Sequence, residues 1–329
     1  MRMSDYINSF PDQLRDALRI GNEKTASKSN KNITHVLICG LGGSGIGGTI
    51  ISDILSLSAT IPISTNKDYS VPNFVNRNTL VIANSYSGNT EETLSALKKC
   101  QEKGAEIAII TSGGKLENIA QKHNYTNIIV PAGHPPRAMF GYAFIELFFI
   151  LYLYNIIDSS FKIDFKNAIQ LIEKEQKNIQ REALELAKKL SASTPIIYVA
   201  NGFEGVAIRF RQQINENSKM LCWHHVIPEM NHNELLGWRT NTENLSVVYF
   251  RNKSDYKRNQ VRIDINKDVI SKYTTNITEV WSKGNSLIEN TLYHINLGDW
   301  ASWYLSEINN VDAIEINILN YLKKKLSKI

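Results

Sequence analysis

Apolar residues along this chain gather in short unbroken runs, separated by turns rich in glycine and hydroxyl side chains. "THVLICG" (34–40) is β-branched and aliphatic and ends in glycine, the pattern of a strand buried on both faces. "SGIGGTIISDILSL" then reads as a helix, and "PIST" and "TLVIANS" read as strands. "TEETLSALKKCQEKG" predicts a helix that Gly104 closes at its C-terminal end. "EIAIITS", "KLENIAQKH" and "NIIVP" continue as strand, helix and strand. An apolar stretch, "AMFGYAFIELFFILYLYNII", precedes an amphipathic helix over roughly residues 163–191. The alternation restarts with "PIIYVAN" as a strand and "EGVAIRFRQQINENSK" as a helix. "ENLSVVYFR" and "NITEVW" follow as strands, with helices to the end. Such alternation predicts an α/β fold of parallel sheets flanked by helices on both faces. It falls into two halves, residues 1–155 with a leading helix and residues 156–329, with no low-complexity linker between them.

The apolar stretch is about as long as a membrane helix, but Glu146 stands in its middle and Tyr and Gly interrupt it. A buried core helix is the better reading. The amphipathic N-terminus "MRMSDYINSFPDQLRDAL" carries acids, unlike a signal peptide. Cys39, Cys100 and Cys222 form no CxxC pair, which points to a reducing cytoplasm rather than a disulfide framework. The net charge is +5, yet Lys and Arg are scattered until the tail "LKKKLSK". That distribution and the lack of a groove-reading motif argue against nucleic acid as a partner. The tail is explained more simply by cations at the negative end of a helix dipole.

Two loops carry the chemistry. "CGLGGSGIGG" aligns with a dinucleotide fingerprint at Gly40, Gly42 and Gly45. The ribose-binding acid is missing, however, because Asp68 lies well past the second strand, and no Walker lysine is present. What remains is a loop whose backbone amides and Ser44 can surround an anion at a helix start. "SYSGNTEET" (85–93) takes the equivalent place after a later strand and offers Ser85, Ser87 and Thr90. Turn and cap chemistry would need one such hydroxyl, and three favour a phosphate. Neighbouring loops at the carboxyl edge of a parallel sheet make a ligand crevice. The expected ligand is a phosphate monoester.

"SYSGNTEET" resembles the phosphate loop of the sugar isomerase (SIS) domain. "GLGGSGIGG", "PPRAMFGY", "QINENSK" and "PEMNHNELLGW" together resemble the bifunctional phosphoglucose/phosphomannose isomerases, over about residues 35–240. The resemblance implies two SIS domains of flavodoxin-like build, a homodimer, and neither metal nor organic cofactor. It implies interconversion of glucose 6-phosphate or mannose 6-phosphate with fructose 6-phosphate. Gly43, Ser44, Ser85, Ser87 and Thr90 are then expected to hold the phosphate, with Arg137 close by for phosphate or enediolate. Arg137 opens a helix, where its charge opposes the dipole, and that mismatch also favours a functional role.

Moving a carbonyl between C1 and C2 requires ring opening, a proton shuttle between carbons and a stabilised enediolate. The resemblance places the base at Glu216, whose ordinary alternative is a solvated helix carboxylate. It places the ring-opening group at His232, beside Asn231 as a helix cap with Glu234 in a capping box. It also uses a lysine on the final helix. Lys323 is the choice among Lys323, Lys324 and Lys325, with Leu319, Leu322 and Leu326 as the buried stripe of that helix. "CWHH" reads as a structural extended segment, and zinc on Cys222, His224 and His225 lacks distant ligands at suitable spacing. The chain departs from the family in having Thr49 where an acid is common, and in lacking a proline-rich approach to its last helix. Two other functions share the phosphate loop. A non-catalytic sugar-phosphate sensor would not need Glu216 with His232, and an aminosugar-phosphate isomerase would differ in substrate.

Overall fold

The structure, a computed structural model, describes residues 1–25, 31–241 and 243–328. Helices α1 (Met3–Asn8) and α2 (Phe10–Asn22) lead into β1 (His35–Cys39), α3 (Gly42–Leu55), β2 (Ile63–Asn66) and β3 (Thr79–Asn84). Next come α4 (Glu91–Glu102), β4 (Glu106–Thr111), α5 (Gly114–His123) and β5 (Thr126–Ile129). A 3-10 turn, Pro136–Met139, opens into α6 (Phe140–Leu153), and α7 (Phe161–Leu190) starts the second half. There β6 (Thr194–Ala200), α8 (Glu204–Ser218), β7 (Trp223–Ile227), α9 (Glu234–Gly237) and β8 (Leu245–Arg251) follow in order. The chain continues through α10 (Lys257–Ile270), β9 (Ile277–Trp281), α11 (Leu287–Ile308) and α12 (Asn317–Leu326).

Both sheets are parallel throughout, with strand orders β2-β1-β3-β4-β5 and β7-β6-β8-β9. This is the expected α/β architecture. The continuous apolar runs follow from it, because successive strand residues point to opposite faces and both faces are covered. Val36, Ile38, Leu80 and Ile82 face one way, into a core that also takes Ile197, Val199, Val248 and Phe250 from the second sheet. Leu37, Val81 and Ile109 face the other way, onto Leu97 of α4 and Leu116 of α5. Ile196, Tyr198 and Val247 of the second sheet turn outward onto Ile263 and Ile270 of α10. A single apolar core therefore runs between the two sheets, filled by the inner helices.

The apolar helix is part of that core. Pro136–Leu153 is long and apolar enough to cross a membrane, but 78% of it is buried inside the protein. Every residue of α6 from Phe140 to Leu151 is buried, Glu146 included. Gly104 closes α4 with φ +69°, as its position suggests.

Two elements differ from the expectation. Helix α10 lies between β8 and β9, in a stretch to which the sequence pattern assigns no element. Its residues "KRNQVRIDINKDVI" bury only Ile263, Asn266 and Ile270, too narrow a stripe to show as an apolar period. Helix α12 forms, but none of its residues is buried. Leu319, Leu322 and Leu326 are exposed rather than a buried stripe, because nothing among the described residues covers them.

Candidate active site

The strand order of the first sheet reverses at β1, which has β2 on one side and β3 on the other. The loops leaving β1 and β3 therefore diverge at the carboxyl edge and leave a crevice. The first is the glycine loop. A Cβ on Gly43 would come within 3.1 Å of the Arg137 Cα, so the start of α3 packs directly on the Arg137 backbone. Ser44, the next residue, is buried, and its Oγ accepts the Tyr86 N–H at 3.0 Å. That ties the glycine loop to the hydroxyl loop. Asn84 adds a second tie, donating to the Ser44 carbonyl at 2.9 Å.

The hydroxyl loop is held by glycine. Gly88 has φ +65°, and a Cβ there would lie 1.8 Å from the Gly113 carbonyl oxygen. The Ser85 and Thr90 hydroxyls meet at 2.7 Å, Ser85 buried and Thr90 at the mouth. Thr90 is the N-cap residue of α4, yet its side chain makes no capping hydrogen bond. The opening amides of α4 thus keep no side-chain cap, and the Thr90 hydroxyl is turned to Ser85 instead. Ser87 is exposed and accepts the Asn89 N–H at 3.3 Å. Ser44, Ser85, Ser87 and Thr90 thus lie in two loops tied to one another.

Arg137 is buried, not a surface arginine. Its Nη1 lies 3.3 Å from Glu216 Oε2, and its Nε donates to Asn217 Oδ1 at 2.9 Å. Its Nη2 donates to the Ala313 carbonyl. Burial pulls the guanidinium below its ordinary pKa, and the Glu216 charge opposes that pull. The guanidinium faces Glu216, and among the described residues no hydrogen bond joins it to Ser44, Ser85, Ser87 or Thr90. Glu216 sits in the last turn of α8, partly exposed. A carboxylate and a fixed cation therefore stand together beside the loop that carries Ser44. This pairing can pass a proton between carbons and stabilise an adjacent oxyanion.

His232 and Lys323 are not brought to this place. His232 is exposed at the end of a 3-10 turn, Glu229–His232, beyond the edge strand β7. Asn231 does not cap a helix there. Its side chain donates to Asn266 Oδ1 at 2.6 Å, and Asn233 caps α9 by accepting the Glu234 N–H. Lys323 is exposed on α12 and makes no hydrogen bond or ion pair with any of these site residues among the described residues. The approach to α12 does reach the site, through the Ala313 carbonyl on Arg137 and the Glu315 carbonyl on Lys219. In "CWHH", His224 lies 3.7 Å from Glu204, and the Cys222 thiol faces the Arg211 carbonyl. Among the described residues no group of three or more His, Cys, Asp or Glu side chains could hold a metal ion.

Several residues around the pair have no role assigned from the sequence, although Gln213, Asn217 and Lys219 lie within "QINENSK". Lys219 follows α8 in a left-handed conformation, φ 57°, and donates to the carbonyls of Glu216 and Glu315 at 2.6 and 2.7 Å. Asn217 bridges Arg137 to Ser302 Oγ at 2.9 Å. Behind them Arg209 pairs with Asp299 at 2.6 Å, lies over the Phe140 ring and donates to the Arg137 carbonyl at 3.3 Å. Gln213 donates to the other Asp299 oxygen at 2.9 Å. The spacing of Arg209 and Gln213, one turn apart on α8, was the available signal. Their partner Asp299 lies on α11, far along the chain.

Comparison with known proteins identifies the family of this chain. Residues 31–153 match the SIS domain model, and residues 179–326 match the bacterial phospho-glucose isomerase C-terminal SIS domain model. A bifunctional phosphoglucose/phosphomannose isomerase of Caldicellulosiruptor bescii is 37% identical, over 99% of both chains. Another, from Aquifex aeolicus, is 32% identical over 89% of this chain and 90% of its own. Among solved structures, the C-terminal domain of glucosamine-fructose-6-phosphate aminotransferase from Francisella tularensis superposes with a TM-score of 0.78. It covers 95% of this chain and 98% of its own at 15% identity, which speaks to the fold alone. With two SIS domains and near-complete alignment to such relatives, this chain belongs to the bifunctional phosphoglucose/phosphomannose isomerase family.

Proposed function

We propose that this chain is an aldose–ketose isomerase that interconverts glucose 6-phosphate, and mannose 6-phosphate, with fructose 6-phosphate, using no metal or organic cofactor. The observation that carries this reading is the Glu216 carboxylate at 3.3 Å from the buried Arg137 guanidinium, beside the tied hydroxyl loops. The phosphate rests on Ser44, Ser85, Ser87, Thr90 and the amides opening α3 and α4. Glu216 removes the C2 proton of the open aldose. The C–H electron pair becomes the C1–C2 double bond, and the C1 carbonyl oxygen gains the negative charge beside Arg137. Return of the first proton to C1, with transfer of the C2 hydroxyl proton to the C1 oxygen, gives the ketose. Nothing is oxidised or reduced overall.

Ring opening requires an acid at the ring oxygen and a base at the C1 hydroxyl. His232 is the residue proposed for that exchange, with Lys323. Both are exposed here and, among the described residues, make no hydrogen bond or ion pair with the site residues, so the proposal includes a homodimer in which a second copy presents them. The exposed apolar side chains Ile318, Leu319, Leu322 and Leu326 on α12 support that arrangement. The reducing cytoplasm is the proposed location, in keeping with three free cysteines.

The test is a coupled assay with fructose 6-phosphate that scores both aldose products, alongside deuterium exchange at C1. Turnover to either aldose with exchange is expected. A chain that binds the sugar phosphate and never exchanges the proton would be a sensor instead.

A further inference from the structure

The second sheet has its own reversal of strand order, which the reaction at Glu216 does not use. Strand β6 lies between β7 and β8, so the loops leaving β6 (201–203) and β8 (252–256) diverge at the carboxyl edge. A cavity of about 600 Å³ opens there. Asn201 lines it from the first loop, Ser254 and Tyr256 from the second, and Arg258 and Arg262 from α10. Asp53 reaches in from α3 in the other half of the molecule.

The β8 loop is preformed. Buried Asn252 accepts from Ser282 Oγ at 2.6 Å and from His294 Nε2 at 3.1 Å. Asn252 in turn donates its N–H and Nδ2 to the Asp255 carboxylate at 2.9 and 3.2 Å. The acids of the lining are thus already engaged, Asp255 by Asn252 and Asp53 by the Gly205 N–H at 2.7 Å. The cations are not. Among the described residues exposed Arg258 forms no ion pair, and Arg262 makes one side-chain hydrogen bond, to Asn231 Oδ1 at 3.3 Å. The two stand one turn apart, on one face of α10. The first turn of that helix holds no acid, and its N-cap residue Tyr256 makes no side-chain capping bond.

The arrangement repeats the one around Glu216 with the halves exchanged. There, a carboxylate from the last turn of α8 reaches the first sheet's crevice. Here, a carboxylate from the last turn of α3 reaches the second sheet's crevice. Helices α3 and α8 pack on each other, so each begins at one crevice and ends at the other.

We propose that this second crevice binds a small phosphorylated polyhydroxy compound, its phosphate on Arg258 and Arg262 and its hydroxyls on Asp53 and Asn201. Two guanidinium forks one turn apart suit phosphate oxygens. Exposed Tyr256, Leu57 and Leu287 give the carbon chain an apolar wall. Burial pushes Asp53 up to about 6, and a hydroxyl donating to it would offset that loss of hydration.

Equilibrium dialysis of the full chain, with labelled inorganic phosphate and with labelled fructose 6-phosphate, tests this directly. Two sites per chain are expected. Arg258→Ala with Arg262→Ala should weaken one of them about tenfold or more for both probes and leave isomerase turnover in place. Ser85→Ala with Thr90→Ala should weaken the other. Asp53→Asn should weaken only fructose 6-phosphate at the second site. Binding that is unaffected by removal of both arginines, whether at one site per chain or two, overturns the proposal. Binding of phosphate without the sugar phosphate overturns the polyhydroxy ligand. The count of sites does not depend on turnover, so failure of the isomerase reading and failure of this one are separable.

Discussion

Glu216 has one oxygen on Arg137, and the Arg137 guanidinium is spread over a carboxylate, an amide and a carbonyl. A buried guanidinium keeps its geometry only when its donors are met, and here α8 and the loop before α12 meet them. This leaves the Glu216 carboxylate fixed and partly exposed, as the proposed base must be. Glu216→Gln keeps the shape but cannot accept a proton. It should lower kcat by about 10²–10⁴-fold while fructose 6-phosphate still binds, since Ser85, Ser87 and Thr90 are untouched. Steady-state kinetics with parallel calorimetry checks this. Near-normal turnover would remove Glu216 from the role.

At the scale of elements, the hydroxyl loop depends on a backbone conformation rather than on its hydroxyls alone. Gly88 combines a positive φ with contact against the Gly113 carbonyl. Gly88→Ala must strain both the loop and the start of α5, at a cost of about 1–3 kcal/mol or more. A fall in the denaturation midpoint together with weaker fructose 6-phosphate binding is expected. A variant with both properties intact would show that the loop does not need this turn. Helix α12 presents the opposite case, an amphipathic element with its apolar side uncovered. Leu319→Glu with Leu322→Glu should convert the proposed homodimer to monomers in sedimentation and lower isomerase turnover. Unaltered sedimentation would place the dimer contact elsewhere.

At the scale of the whole molecule, the shared core between the sheets contains two titratable groups with no charge partner. Burial pushes Glu146 up to about 9 from 4.5, and its carboxyl oxygens have no hydrogen-bond partner. The folded state therefore holds a proton that the unfolded state releases. Its contribution to stability is full below 4.5 and is lost as pH rises toward 9. Burial pulls His294 down to about 3 from 6.5, so its contribution is full above 6.5 and is lost as pH falls toward 3. Glu146→Gln removes the first dependence. Relative to the unaltered chain it should gain stability as pH rises between 4.5 and 9, on the order of a few kcal/mol at the upper end. Urea titrations across that range measure it, and a constant difference between the two proteins would contradict the assignment.

Local pattern determined a good deal of this protein. The runs at 34–40 and 79–84 specified buried parallel strands, because a strand covered on both faces needs no polar alternation. The glycine and hydroxyl loops, Gly104 as a helix stop and the core reading of α6 were legible for the same reason, since each depends on residues adjacent in sequence. Helix α10 was not, because it buries too few side chains to leave a period. Glu216 and Arg137 were nominated in the sequence, but the hydrogen-bonded shell around them was not. Arg137, Asn217, Asp299 and Ala313 come from a turn, two helices and a loop far apart along the chain. Only the packing of α8 against α11 and the Pro136–Met139 turn makes them neighbours. Residue type and spacing can nominate a carboxylate or a guanidinium. The tertiary structure decided which of them are buried together, because desolvation and long-range hydrogen bonds are properties of the folded arrangement and leave no periodic trace in the sequence.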